Sequence, residues 1–322
     1  MTNILTVMLL GFLSLSEINY PYLFHHYQNE YEKQYSLEEY DIRFHNFVDN
    51  VNFIFKNNLK NNTYTLGFNE FTDLSPDEFS NNFKFKYEKL FGNSCSPMKF
   101  ERIDVPTNVD WRSKDAVTPV KNQGQCGSCW SFSTTGAVEG ANSISKGSLI
   151  SLSEQELVDC SRKYGNMGCR GGLMDNAFEY IIDNGLCTEN DYPYTGKDDS
   201  CVSDKCNSVV TLTNCFDVTS QNELALKEAV SKQPVSVAIE ADTRTFQLYS
   251  DGVITSESCG TNLDHGVLVV GYGEENNTPY WLVKNSWGPS WGDNGYVKIA
   301  RSDNESTKGV CGIAMQPSYP QI

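Results

Sequence analysis

An α+β fold is predicted for the 322-residue chain, with helices first and strands last. Three observations carry it. Glu39, Arg43, Phe47, Asn50, Ile54 and Asn58 recur at steps of three or four, which keeps them on one slowly drifting helix face. Phe132, Ala137, Val138, Ala141 and Ile144 repeat at roughly helical spacing behind Cys129. Residues 235–239, 266–270 and 280–283 are β-rich runs bounded by Gly, Asn and Pro.

The elements follow in order. Residues 1–16 form an apolar run too short to span a bilayer comfortably. Ser14 and Ser16 stand at −3 and −1 of a cut before Glu17, which reads as a secretory signal. Its first residues lack Lys and Arg, so an uncleaved anchor or a buried helix is the alternative. A helix starts at Ser36, and Glu39 and Arg43 are spaced to pair on it. The alternation Gly67-x-Asn69-x-Phe71-x-Asp73 predicts a short strand. Residues from about 79 to 104 are polar and lysine-bearing, with Gly92 and Pro97, and read as an exposed linker open to proteolysis. Ser153-Glu-Gln-Glu-Leu157 opens a helix with acids in its first turn. Another spans 174–184 and stops at Gly185.

Composition narrows the function. A net charge of -16 argues against nucleic acid or an anionic membrane as partner and favours solubility. Eleven cysteines behind a signal segment point to an oxidising compartment, and an odd count leaves at least one thiol unpaired.

Cys129 is the thiol to watch. A helix N-terminus carries unpaired N–H groups and partial positive charge, which favour thiolate, the nucleophilic form. The chain has four histidines, and His25, His26 and His45 lie in its N-terminal third. Only His265, in Leu-Asp-His-Gly, remains to serve Cys129 as a base. Asn285, in Lys-Asn-Ser-Trp-Gly, suits the role of orienting the imidazole. On its own, Cys126-x-x-Cys129 also reads as half a zinc site, a redox pair or two structural half-cystines. No second Cys-x-x-Cys completes a zinc set, and no βαβ pattern follows for a redox fold.

Gln123-Gly-Gln-Cys126-Gly-Ser-Cys129-Trp130, with His265 and Asn285-Ser-Trp287-Gly, resembles the papain family of cysteine peptidases. The likeness runs from about Tyr27 to Ile322, and the helical stripe with Gly67/Asn69/Phe71/Asp73 looks like the propeptide of its cathepsin L-like branch. The resemblance implies a two-lobe papain-like fold, helical over about 105–219 and β-barrel-like over about 220–322. A helical inhibitory prodomain (17–104) precedes it, with processing near Asp104/Val105. It implies an endopeptidase in which Cys129 attacks the peptide carbonyl, His265 forms an ion pair with it and protonates the leaving amine, and Asn285 holds the ring. Trp287 would shield that bond, and Gln123 with the Cys129 N–H would meet the oxyanion. Gly172 would bind extended peptide. Leu173, Met174, Ala238, Leu263 and Gln316 would build an S2 pocket for Leu, Val or Phe; core packing is the alternative for Leu173 and Met174.

The resemblance also implies disulfides Cys126–Cys169, Cys160–Cys201 and Cys259–Cys311. Cys95 falls in the linker, and Cys187, Cys206 and Cys215 depart from the family pattern, suggesting one further bridge and one free thiol. It implies no metal or cofactor. Its partners would be polypeptide substrates, its own propeptide and cystatin-like inhibitors, for a monomer in a lysosome, in a vacuole or outside the cell. Asn61, Asn276 and Asn304 head glycosylation sequons. The expected rivals are a binding protein on an inactive peptidase scaffold and an exopeptidase. The intact Cys129, His265, Asn285 and Gln123 argue against the first, and the lack of a histidine-bearing insertion against the second.

Overall fold

The computed structural model describes residues 18–83, 95–255 and 258–322; the expected signal segment lies outside them. Helix α1 (Tyr20–Glu30) was not legible as a repeat; Asn19 caps it by accepting from the Tyr22 N–H. Helix α2 (Leu37–Asn58) opens on a reciprocal cap, in which the Ser36 hydroxyl accepts from the Glu39 N–H and the Glu39 carboxylate accepts from the Ser36 N–H. That cap draws Glu39 away from Arg43, which instead donates to the Glu78 carboxylate at 3.1 Å. Phe47 buries against Phe24 and Tyr27 of α1, with ring centroids 5.1 and 5.0 Å away.

Strand β1 (Tyr64–Leu66) precedes the motif predicted to be a strand. Gly67–Asp73 is not one. The Asn69 side chain accepts from the Phe71 N–H, and Thr72 and Asn69 bond one another, so local side-chain bonds displace a ladder. The turn lowers Asp73 into the interior, where it accepts from the hydroxyls of Tyr27 and Tyr35, each at 2.8 Å, and from Lys33 at 3.4 Å. Asn50 holds the same turn by donating to the Thr72 and Leu74 carbonyls and accepting from Arg244. Helix α3 (Pro76–Phe83) follows.

The linker expectation needs correction at both of its described ends. Phe79 lies buried in α3. Cys95 is buried too, and strand β2 (Ser96–Pro97) joins the sheet.

After β3 (Val109–Asp110) come helices α4 (Cys129–Lys146), α5 (Glu154–Cys160) and α6 (Met174–Asn184). The Ser153 hydroxyl caps α5, and Gly185, at φ +74°, ends α6. Residues 129–142 of α4 are buried all round, whereas Ile144 emerges into solvent, so the apolar stripe ends a turn early. The remaining elements are β4 (Asn214–Asp217), α7 (Glu223–Lys232), β5 (Val235–Ile239), a one-turn α8 (Arg244–Gln247) and β6 (Tyr249–Ile254). Then come β7 (His265–Glu275), β8 (Thr278–Lys284), β9 (Tyr296–Ala300) and β10 (Ser318–Gln321).

The strands order as β1-β6-β9-β8-β7-β5-β10-β4-β2, with β3 on β7. One core lies between the sheet and α7, around Trp281, Trp287 and Trp291. A second lies where α4 and α6 meet β7, around Trp130, Phe178 and Leu268. The expected α+β order therefore holds, with β1 and β2 added to the sheet from the N-terminal segment.

Disulfides join Cys126–Cys169, Cys160–Cys201 and Cys259–Cys311. Cys187 pairs with Cys206 and Cys95 with Cys215, so those four hold two bridges, and Cys129 is the free thiol.

Phe47→Ala removes the ring at the centre of the aromatic cluster between α1 and α2. The expected cost is about 3–5 kcal/mol of prodomain stability. Hydrogen exchange should show α1 and α2 opening while the sheet amides stay protected.

Candidate active site

The site is built where α4 meets β7. Gly127 leaves no room for a Cβ, which would lie 2.6 Å from the Cys169 carbonyl. Its N–H donates to that carbonyl at 2.9 Å, and the adjacent Cys126–Cys169 bridge fixes the loop. Cys126 is thereby taken up, which removes it from any zinc or redox role with Cys129. The Ser128 side chain does not cap α4; its hydroxyl bonds Tyr194 at 2.6 Å. Cys129 thus stands on the first turn with its amides uncapped by a side chain. From the other side comes Gly266, whose N–H donates to the Cys129 sulfur at 3.3 Å. A Cβ there would meet the Trp130 backbone at 3.2 Å, so glycine makes this close approach free of a tight contact.

His265 is the residue just before that contact and opens β7. Antiparallel pairing of β7 with β8 sets Leu268 opposite Lys284, which carries Asn285 alongside His265. The His265 Nε2 donates to the Asn285 Oδ1 at 2.7 Å. With the proton on Nε2, the lone pair sits on Nδ1, which has no hydrogen-bond partner among the described residues. Trp287 stacks on the imidazole at 4.7 Å. Phe71 and Phe79 of the N-terminal segment meet that indole edge-on at 5.7 and 5.3 Å.

Gln123 is locked in place by its neighbours. Its Oε1 accepts from the Ser286 hydroxyl at 2.7 Å, and its Nε2 donates to the Cys126 carbonyl at 2.9 Å. Ser286 and Gly266 were not singled out from sequence, although both directly follow residues that were. Asp264, partly buried beside His265, accepts from the Ala241 and Asp242 N–H groups, and burial pushes it up to about 8.

The electrostatics differ from the sequence expectation of a thiolate. Cys129 and His265 are each 1% exposed. Burial pushes the thiol up to about 11, against the pull of the Gly266 and Trp130 N–H groups. Burial likewise drives the imidazole down to about 4, against the Asn285 hydrogen bond. In this covered state both groups are held neutral.

Gly172 packs so closely on the Trp130 ring that a Cβ would lie 2.6 Å from it. Leu173, Met174 and Gln316 line a cavity of about 440 Å³. Ala238 and Leu263 are not among its described walls; they pack in the apolar cluster that holds Met174. Pro97 and Met98, which sequence did not suggest, do line it. Asn61, Asn276 and Asn304 are all exposed.

Residues 105–321 match the family model described as papain family cysteine protease, and residues 24–79 match the cathepsin propeptide inhibitor domain. Cysteine proteinase RD21A of Arabidopsis thaliana is 51% identical over 294 residues, covering 90% of this chain and 63% of that protein. Germination-specific cysteine protease 1 of the same plant is 51% identical over 304 residues, covering 88% and 78%. The chain thus spans less than two thirds of the first of these relatives. Among solved structures, digestive procathepsin L 3 of Tenebrio molitor larval midgut superposes with a TM-score of 0.86 at 42% identity, covering 95% of this chain and all of that one. The proform of the ragweed pollen allergen Amb a 11, a cysteine protease, gives 0.87 at 38%, covering 96% of each.

A thiol held near 11 presents roughly one thiolate in ten thousand at pH 7. Alkylation of Cys129 by iodoacetamide in the intact zymogen should therefore be slow at pH 7 and far slower than in the processed enzyme, because the thiol is both buried and held neutral. Fast alkylation already at pH 6 would show an ion pair formed under the prodomain.

Proposed function

The chain belongs to the papain family of cysteine proteases, and on that premise we propose that it is a latent endopeptidase whose Cys129 and His265 act as a thiolate–imidazolium pair once the prodomain leaves. The observation that carries the reading is the free thiol on the first turn of α4, in contact with the residue next to an imidazole anchored by Asn285. Uncovering the site returns water to both groups and lifts the burial cost that keeps them neutral. A proton then moves from sulfur to Nδ1, with charge on both.

The sulfur adds to the peptide carbonyl, and the carbonyl oxygen takes the negative charge. Gln123 Nε2 and the Cys129 N–H are the donors for it. The imidazolium gives its proton to the departing amine, leaving a thioester on Cys129. Water, activated by the same imidazole, hydrolyses the thioester and restores the thiol. Asn285 keeps the ring in one tautomer, and Trp287 covers the bond between them. Leu173, Met174 and Gln316 receive the P2 side chain, so Leu, Val or Phe is preferred and a basic P2 residue is not. Five disulfides suit synthesis in the secretory pathway.

Inhibition by the N-terminal segment follows from its anchors. Phe71 and Phe79 sit on Trp287, and Asn69 donates to the Gln247 carbonyl at 2.7 Å. Acid is expected to loosen the N-terminal segment, through the carboxylates Glu39 and Asp73 and through His265. The cap with Ser36 holds the Glu39 carboxyl below the usual range, so Glu39 responds only at the acid end. With Ser in place of Cys129, no proton can pass from that residue to the ring, so an uncovered imidazole takes one from water near 6.5, whereas the covered one does so only near pH 4. The uncovered state therefore binds more protons between those values. The covered state loses stability as pH falls from 6.5 towards 4, by roughly 3 kcal/mol in full, and loses none above 6.5.

Two measurements test this. Gln123→Ala should lower kcat/KM by roughly 100-fold, and losing its bonds to Ser286 and Cys126 should cost about 1–3 kcal/mol of stability. In a Cys129→Ser zymogen, which cannot process itself, protease sensitivity of the prodomain should climb between pH 6.5 and 4. Adding His265→Gln should flatten that climb; an unchanged profile would assign acid release to other groups.

A further inference from the structure

A backbone cut near Asp104/Val105 does not by itself separate what precedes it from the peptidase. Cys95, on the N-terminal side of that cut, is bonded to Cys215 on the other side. The two sulfurs' residues are 4% and 0% exposed. Strand β2 runs parallel to β4, with Ser96 beside Phe216 and Pro97 beside Asp217. The Met98 N–H donates to the Asp217 carbonyl at 2.7 Å, and Met98 is a member of the main core. Phe100 packs against that core, the Glu101 N–H donates to the Glu228 carboxylate at 3.1 Å, and Arg102 pairs with Glu305. Through Cys95, strand β2 and Met98, residues 95–98 are built into the domain they lead into, and residues 100–102 dock on its surface.

Disulfide exchange needs a thiolate to reach one of the sulfurs. Here both are covered, so the thiol reductants that keep Cys129 active meet this bridge poorly. The segment it holds also borders the cavity proposed above to receive P2. Pro97 and Met98 share the cavity of about 440 Å³ with Leu173, Met174 and Gln316.

We infer that residues 95–104 stay attached to the active enzyme through Cys95–Cys215, and that Pro97 and Met98 form a wall of the pocket that receives the substrate's P2 side chain. The inference rests on the P2 reading of that cavity given above. The prodomain helices then leave by a cut on the N-terminal side of Cys95, whether or not the chain is also cut near residue 104. Pro97 and Met98 line the pocket together with Val218 and Pro317, while Asp175, Asp217, Thr219 and Ser220 make part of its lining polar. The wall narrows the space for the largest side chains and so favours Leu over Phe at P2.

The test starts from full-length zymogen activated in acid with a thiol reductant and labelled at Cys129 with an epoxide inhibitor. Intact mass is read without further reduction, then after denaturation and full reduction. The expected species contains residues 95–104 before denaturation. After it, the segment either remains as an N-terminal extension or falls away as a separate peptide. Active enzyme lacking Cys95–Met98 before denaturation overturns the inference.

The second arm reads the ratio of kcat/KM for Phe over Leu at P2. Met98→Ala, with the bridge intact, should raise the ratio at least about threefold, since a methylene's worth of pocket space shifts selectivity about tenfold or more. The double variant Cys95→Ala/Cys215→Ala should move it the same way. Met174→Ala is the reference for the pocket itself. A ratio that responds to Met174→Ala but not to Met98→Ala overturns the wall and leaves the P2 reading standing. A ratio that responds to neither overturns the P2 reading beneath it.

Discussion

The contact on which the molecule depends is the passage of β7 over the first turn of α4 at Gly266. A strand of the sheet and a helix of the other core meet there with backbone against backbone, and Gly266 reaches the sulfur of Cys129. The sheet's register does the rest. Pairing with β5 sets Ile239 opposite His265, and pairing with β8 brings Asn285 to its ring. Chemistry that needs three groups at fixed distances is thus delegated to two ladders and one missing side chain. A side chain at 266 would crowd the Trp130 backbone at 3.2 Å and strain the contact on which this arrangement rests.

Latency and reactivity draw on the same feature, the exclusion of water. While covered, the thiol and the imidazole both lack the solvation that charge requires, and the pair stays neutral. The helix N-terminus favours thiolate by only a modest amount, which full burial outweighs. The N-terminal segment contributes specific contacts to this region. Its aromatic residues complete the cluster around Trp287, and its buried Asp73 and Asn50 tie α1, α2 and the Gly67–Asp73 turn into one body that presents them.

Much of the site was legible because its residues sit in short local signals: Gln123 to Cys129, His265 with Gly266, and Asn285 to Trp287. Helices with explicit punctuation were legible too, through the caps at Ser36 and Ser153 and the stop at Gly185. Other features were hidden for physical reasons. Helix α1 is aromatic on several sides and carries Pro21 in its first turn, so no stripe stands out. The Gly67–Asp73 alternation mimics a strand, but Asn69 prefers its own backbone to a ladder. Residues 95–98 look like linker because what orders them, Cys215 and β4, lies 120 residues away along the chain. Propensity cannot report a partner so distant, nor can it report how far burial opposes charge at Cys129.

The stack of Phe79 on Trp287 has a consequence for the life of the molecule after activation. Zymogen and enzyme are not the same solute. Losing the covering rings bares an indole beside the cleft, so maturation manufactures an adhesive patch that the newly synthesised chain never displayed. Of the two forms, the one that keeps Phe71 and Phe79 on the indole is the less adhesive solute.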